Sequence, residues 1–186
     1  MSLAQEYRKS LEQRWCLQLK TSLPDDDVYR GIVTHDRPRF IALASLVDFA
    51  FDGVEILPKK YIRGYRDSDF ERCTNEIIRS NGALEGLTPL SWLDSVQTIR
   101  ELLAEVHKRD IWPGVELLKR DANRTAFYIG PVLEVRKSDF DLNCYDAAGE
   151  WEKEYELPLR DVCRISLGDR YTTEFNRYMR AKSGGQ

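Results

Sequence analysis

The sequence predicts a mainly β protein with flanking helices, arranged as two tandem small barrels of five strands, each barrel preceded by an α-helix. Three observations predict it. Short apolar segments alternate between turn signals, which is the pattern of antiparallel strands. A stripe of helical period precedes each run of strands. Similar residues also return in the same order roughly 100 positions later, as an internal duplication requires. Strands this short curl readily into barrels, because closure hides their edges.

The first half opens with Leu3, Tyr7, Leu11 and Trp15, spaced every four residues as on one helix face. Trp15, Leu17 and Leu19 then alternate as in a strand, and Pro24-Asp25-Asp26-Asp27 reads as a turn. Strands are predicted over Val28 to Val33 and Phe40 to Val47, with a hairpin-type turn at Asp52-Gly53. Two more cover Val54 to Leu57 and Tyr61 to Tyr65, and a helix over Asp69 to Arg79 closes the unit. Ser80-Asn81-Gly82-Ala83, with Glu85-Gly86, marks the boundary.

The second half repeats the plan. Thr88 and Pro89 are a good helix start, followed by the stripe Leu93, Val96, Ile99, Leu103 and Val106. Val115 and Leu117 alternate, and Asp121-Ala122-Asn123 reads as a turn. Strands are predicted over Thr125 to Val135, Asp139 to Tyr145, Trp151 to Leu157 and Val162 to Leu167, with a turn at Ala148-Gly149. A helix over Thr172 to Ala181 ends the unit. The predicted division is 1–82 for the first helix and barrel, 88–182 for the second, and 183–186 for a flexible tail.

Matched positions support a duplication. Gly31-Ile32-Val33 is answered by Gly130-Pro131-Val132, and Phe40 by Phe140. Glu55-Ile56-Leu57-Pro58 is answered by Tyr155-Glu156-Leu157-Pro158, and Ile62 by Val162. Phe70, Ile78 and Arg79 find Tyr171, Met179 and Arg180.

Composition narrows the function. Of 186 residues, 42% are hydrophobic, 32% charged and 11% aromatic, so the chain is built to fold rather than to stay disordered. The net charge of −3 is split evenly between the halves, which excludes a bulk basic nucleic-acid module. The start, Met1-Ser2-Leu3-Ala4-Gln5-Glu6, turns charged at once, and no apolar run is long enough to span a membrane, so a cytoplasmic protein is expected. Cys16, Cys73, Cys144 and Cys163 lie far apart, without the paired spacing of a zinc site, and are expected to be reduced and mostly buried.

The run Tyr29-Arg30-Gly31-Ile32-Val33, then Asp36, then Tyr61-Ile62-Arg63-Gly64-Tyr65 resembles the Sm and Sm-like family, whose barrel is of the SH3-like kind. Helix followed by five strands is that family's plan. The resemblance implies that Arg63 and Gly64 help form an RNA-binding pocket, and that barrel edge strands join neighbouring copies. Two departures count against the RNA implication. Asp36-Arg37-Pro38-Arg39-Phe40 lacks the family's Asn, and Val162-Cys163-Arg164-Ile165 stands where Ile-Arg-Gly is expected in the second half.

Lys59-Lys60-Tyr61-Ile62-Arg63-Gly64-Tyr65-Arg66 carries four cations and no acid. With Ile62 inward, strand alternation puts Tyr61, Arg63 and Tyr65 on one outer face, a stacking platform for bases. Lys60, Tyr61, Arg63, Gly64, Tyr65 and Arg66 are therefore the candidate nucleic-acid contacts. The same pattern also describes a solvated strand whose tyrosines cover the barrel rim. Gly64 marks either a close approach or a bend. His35, Arg37 and Arg39 would extend the basic surface, and Asp36 would oppose it.

Catalysis finds little support. Only His35 and His107 are present, no catalytic or phosphate-binding motif occurs, and Cys163 lies in an apolar strand. No enzyme activity, metal or cofactor is expected. Trp15, Trp92, Trp112 and Trp151 are spread over both halves, and any that stays exposed marks a binding surface. The sequence thus points first to a non-catalytic interaction or scaffold protein, binding protein partners or itself. Single-stranded RNA bound through the first barrel is the alternative.

Overall fold

A computed structural model describes residues 2–24 and 28–184. The turn predicted at Asp25-Asp26-Asp27, and the tail residues Gly185 and Gln186, lie outside the described residues.

The protein is mainly β with flanking helices. The first half runs α1 (Leu3–Gln13), β1 (Cys16–Thr21), β2 (Tyr29–Asp36), β3 (Phe40–Val47), β4 (Ala50–Pro58), a 3-10 turn, β5 (Ile62–Arg66) and α2 (Asp69–Ser80). The second runs α3 (Ile99–Lys108), β6 (Gly114–Lys119), β7 (Arg124–Ile129), β8 (Val132–Val135), β9 (Asp139–Tyr145), β10 (Trp151–Pro158), a 3-10 turn, β11 (Val162–Leu167) and α4 (Arg170–Gly184). The element order recurs, and so do its details. Gly31 packs on the carbonyl of Ala44, and Gly130 packs on that of Asn143. The Asn75 amide donates to the Cys16 carbonyl, and the Asn176 amide donates to that of Trp112. Ile78 and Met179 are both fully buried.

Several local expectations need correction. The second helix does not start at Thr88-Pro89. It starts at Ile99, where the Thr98 hydroxyl caps the amide of Glu101, and residues 91–95 form a 3-10 turn. Leu93 and Val96 are nonetheless buried, which is why they mimicked a continuous stripe. Leu11 is exposed and Trp15 lies beyond α1, whose inner face is Glu6, Tyr7 and Ser10. The hairpin turn falls at Asp48-Phe49, with two successive positive φ values, rather than at Asp52-Gly53. Gly53 instead sits inside β4, where a Cβ would lie 2.4 Å from the Asp169 amide nitrogen. The strand predicted over Thr125 to Val135 is broken at Gly130-Pro131 into β7 and β8. Ser183 and Gly184 belong to α4 rather than to a tail.

The strands form two open sheets. One has eight strands in the order β5-β1-β2-β3-β4-β11-β6-β7, and the other has three in the order β10-β9-β8. The ladders therefore do not close into two separate five-stranded rings. One reason is that β4 of the first half pairs antiparallel with β11 of the second, through Ile56 with Ile165, Glu55 with Ser166 and Val54 with Leu167. The other is the break at Pro131, which has no N–H to give to a ladder.

The halves share a core. Phe40, Ala42, Val54 and Ile56 of β3 and β4 pack with Leu93, Leu102, Val106, Val115 and Ile165 of the second half. A smaller cluster, with Tyr7, Leu17, Leu19, Tyr29, Leu43 and Leu57, belongs almost wholly to the first half.

Glu71 fixes α2 to the end of β5. Its carboxylate accepts from the Ser68 amide at 2.9 Å, the Ser68 hydroxyl at 2.6 Å and Arg66 Nη2 at 2.7 Å, and the residue is fully buried. Burial pushes its pKa up, but the bonds from Arg66 and Ser68 outweigh this and hold it below the usual carboxylate range. A depressed carboxyl stabilises the fold above its unfolded pKa, and that stability is lost as pH falls through the folded value. Glu71→Gln is accordingly expected to cost about 2 kcal/mol at neutral pH. Its deficit against the wild type should shrink below about pH 4. Urea unfolding at pH 7 and pH 3 measures both, and a deficit equal at the two values would exclude this account.

Candidate functional site

The structure separates the residues that alternation had placed together. Tyr61 is not on the strand. It lies in the 3-10 turn before β5, buried in the first-half core with its hydroxyl unpaired. Burial raises its pKa. Tyr65 packs against the same core and is half-buried. Arg63 is exposed and turns back to donate to the Lys60 carbonyl at 2.9 Å. Tyr61, Arg63 and Tyr65 therefore do not form a common stacking face. The physical reason is the pairing of β1 with β5, whose register shifts between Lys20 and Thr21 and so breaks simple alternation around Arg63.

The remaining candidates also have partners within the chain. Lys60 lies over the Tyr61 ring and donates to the Arg160 carbonyl of the second half. Its pKa is lowered by burial and by Arg120. Arg66 pairs with Glu71 and covers the Phe70 ring. A Cβ placed at Gly64 would meet nothing within 4 Å. Gly64→Ala is accordingly expected to be tolerated, with stability unchanged or raised by up to about 1 kcal/mol. A thermal melt decides this, and a lower midpoint would mean that the glycine is needed by the chain itself.

Two arrangements were not foreseen. The first is the joint between the halves. Arg164 on β11 reaches Glu116 of β6 with two bonds, 3.1 Å from Nε and 2.8 Å from Nη2, and Glu55 of β4 at 3.3 Å. Its guanidinium also lies 6.0 Å from the Tyr29 ring centroid. The flanking carboxylates raise its pKa against the effect of burial. The signal was in the sequence, since Glu55, Glu116 and Arg164 are charges set inside apolar strands. The second is a cleft of ≈ 520 Å³ lined by Arg39, Lys59, Lys60 and Thr98 at the start of α3. Asp36 holds Lys59 at 2.5 Å, and Arg39 is exposed.

Burial pushes the thiols of Cys16, Cys144 and Cys163 up to about 12, which suits packing and not nucleophilic attack. Cys73 alone of the four is exposed. Among the described residues, no three His, Cys, Asp or Glu side chains converge to hold a metal ion, and no helix is long and apolar enough to cross a membrane. His35 is buried beside Asp94, and its pKa is lowered chiefly by burial.

Of the four tryptophans, Trp151 is the most exposed, at 37%. It begins β10 and meets Trp112 and Tyr145 edge-on, with ring centroids 5.9 Å and 5.7 Å away. No protein-family model, no curated protein and no solved structure matches this chain.

Proposed function

We propose that this chain is a non-catalytic interaction scaffold of the cytoplasm, built from two diverged small barrels of the Sm-like, SH3-like kind that arose by duplication. It binds protein partners, other copies of itself included, along the edges of its sheets. The single observation that carries the reading is the β4–β11 pairing, by which the chain joins its own halves edge to edge. The strand order β5-β1-β2-β3-β4, repeated as β11-β6-β7 and β8-β9-β10, supports the two-unit description, as do the matched environments of Gly31 and Gly130. Sedimentation equilibrium over a wide concentration range tests the reading. The mass should rise above the 21.7 kDa of one chain as concentration increases. A single 21.7 kDa species at every concentration would overturn it.

The cleft at Arg39, Lys59 and Lys60 favours a second reading, RNA binding at the first half. Three cations and a helix N-terminus around one cavity suit a phosphate backbone. Anisotropy of a labelled single-stranded RNA should then rise with protein, fall steeply with added salt, and be weakened by Arg39→Glu. No binding at low salt would sink this reading and leave the first intact.

A further inference from the structure

A cavity of ≈ 220 Å³ opens in the second half, between β7, the end of β9, β10 and α4. Four aromatic rings line it, those of Phe127, Tyr145, Tyr171 and Phe175, together with two acids, Asp146 and Glu152, and no Lys or Arg. The rings meet in series. Phe127 and Tyr171 have centroids 6.1 Å apart, Tyr171 and Phe175 4.9 Å, and Phe175 stacks on Tyr145 at 6.0 Å. Tyr171 and Phe175 stand four apart in α4, so they share a helix face. The Tyr145 hydroxyl donates to Asn176 Oδ1 at 2.7 Å, and the Asn176 amide donates to the Trp112 carbonyl at 2.8 Å, which pins that helix to the strands. Asp146 is held as well, because its Oδ1 accepts from the amides of Ala148 and Glu150 at 2.9 Å and 3.0 Å. The walls are thus set before anything binds, which lowers the cost of binding.

Neither acid has an ion-pair partner. Among the described residues, no Lys, Arg or His nitrogen lies within 4.0 Å of the Asp146 or Glu152 carboxylate, and Glu152 accepts from the Tyr155 hydroxyl. Lys182, a cation nearby, is taken by Glu150 at 2.6 Å and the Gly149 carbonyl at 2.8 Å. Phe127 and Tyr171 also line a neighbouring cavity with Asp52, Glu55, Glu116 and Asp169, where Arg164 is the one lining cation. The first half shows what such a ring takes. Phe70 matches Tyr171, and the guanidinium groups of Arg30 and Arg66 lie over its ring at 4.6 Å and 5.5 Å. Arg30 stands just before Gly31, whereas Ile129 stands just before the matched Gly130. Among the described residues no cation lies over any of the four rings of the second half, although Arg180 covers Trp112 at 4.0 Å and Lys153 covers Tyr155 at 5.2 Å. The cation that the first half supplies from its own chain has no counterpart here.

We propose that this cavity binds a small quaternary ammonium ion of the choline type. The inference goes beyond the scaffold reading and does not depend on it. Ring faces attract a cation, and the acids add charge of the right sign. A primary ammonium is strongly hydrated, and stripping it costs more than the rings return. A methylated ammonium is weakly hydrated and lays its methyl groups on the rings. The cavity is smaller than the roughly 300–1,000 Å³ of most ligand pockets, so the occupant is small. Ligands that carry an anion beside the ammonium, such as phosphocholine and betaine, are disfavoured by Asp146 and Glu152.

A proton NMR titration of choline chloride against the full chain, at fixed ionic strength, tests this. The choline methyl signal should move upfield as it meets the ring faces, and the shift should saturate. The neutral isostere of choline, with a tert-butyl group in place of the trimethylammonium, should bind at least about fivefold more weakly. Phosphocholine and betaine should also bind more weakly. Phe127→Leu and Tyr171→Leu keep an apolar side chain and remove a ring, and each should weaken choline by about fivefold or more. Both side chains are exposed, at 41% and 52%, so the core is untouched, and circular dichroism checks that each variant is folded. Glu152→Gln should weaken choline by about two- to fivefold. No saturable shift with the wild type would overturn the proposal. So would an isostere or phosphocholine that binds as tightly as choline, or folded ring variants that bind it like the wild type.

Discussion

Arg164→Met is expected to lower stability by about 3–5 kcal/mol, because it removes the cation that balances two largely buried carboxylates. The Glu116 and Glu55 side chains are only 8% and 16% exposed, and Arg164 is the cation that both face. Urea unfolding at neutral pH reads the loss as a shifted midpoint. A change below about 1 kcal/mol would mean that the triad is relaxed by water and holds nothing together.

The same triad separates two meanings of stability. Breaking a buried ion pair is costly, whereas replacing all of its members by apolar groups of similar volume is often neutral or better. Arg164→Met combined with Glu116→Leu and Glu55→Val is therefore expected to recover most of the loss. If it does, the charges contribute specificity rather than net stability. The specificity they would supply is plain from their placement. Arg164 faces β6 of its own half and β4 of the other, so it fixes which edge β11 accepts. A variant that loosens this joint exposes the β4 edge and should associate more, not less.

Element identity was readable in this sequence because apolar alternation and turn residues report on local backbone. The bounds predicted for Phe40 to Val47, Asp139 to Tyr145 and Val162 to Leu167 coincide with β3, β9 and β11. The misplaced helix start shows the limit of periodicity. Leu93 and Val96 are buried by the shared core, and burial alone gave them helical spacing without a helix. The stacking face expected from Tyr61, Arg63 and Tyr65 is broken up for a related reason. A one-residue irregularity in the β1–β5 pairing is invisible to alternation, yet it decides which side chains share a face. The joint between β4 and β11 joins residues 109 apart for Arg164 and Glu55, and no local pattern encodes such a pairing. What the sequence did hold was the anomaly of acids and an arginine inside apolar strands.

Gly31→Ala and Gly130→Ala are each expected to cost about 3 kcal/mol or more, well above an ordinary surface change. A Cβ at Gly31 would lie 2.1 Å from the Ala44 carbonyl oxygen, and one at Gly130 would lie 2.0 Å from that of Asn143. Both obstacles are backbone in the middle of a strand, so neither can swing aside as a flexible side chain would. Gly130 carries a second penalty, since its φ of +147° is open to glycine and strained for alanine. Gly130→Ala should therefore be the worse of the two, with Gly64→Ala as the near-neutral control. Thermal melts of the three variants give the order directly. The comparison also bears on the origin of the two halves. The glycines stand 99 positions apart and so do their obstacles, Ala44 and Asn143. Two severe losses would show the same close approach of second and third strands working in both halves. A mild Gly31→Ala beside a severe Gly130→Ala would reduce their likeness to a matter of spacing.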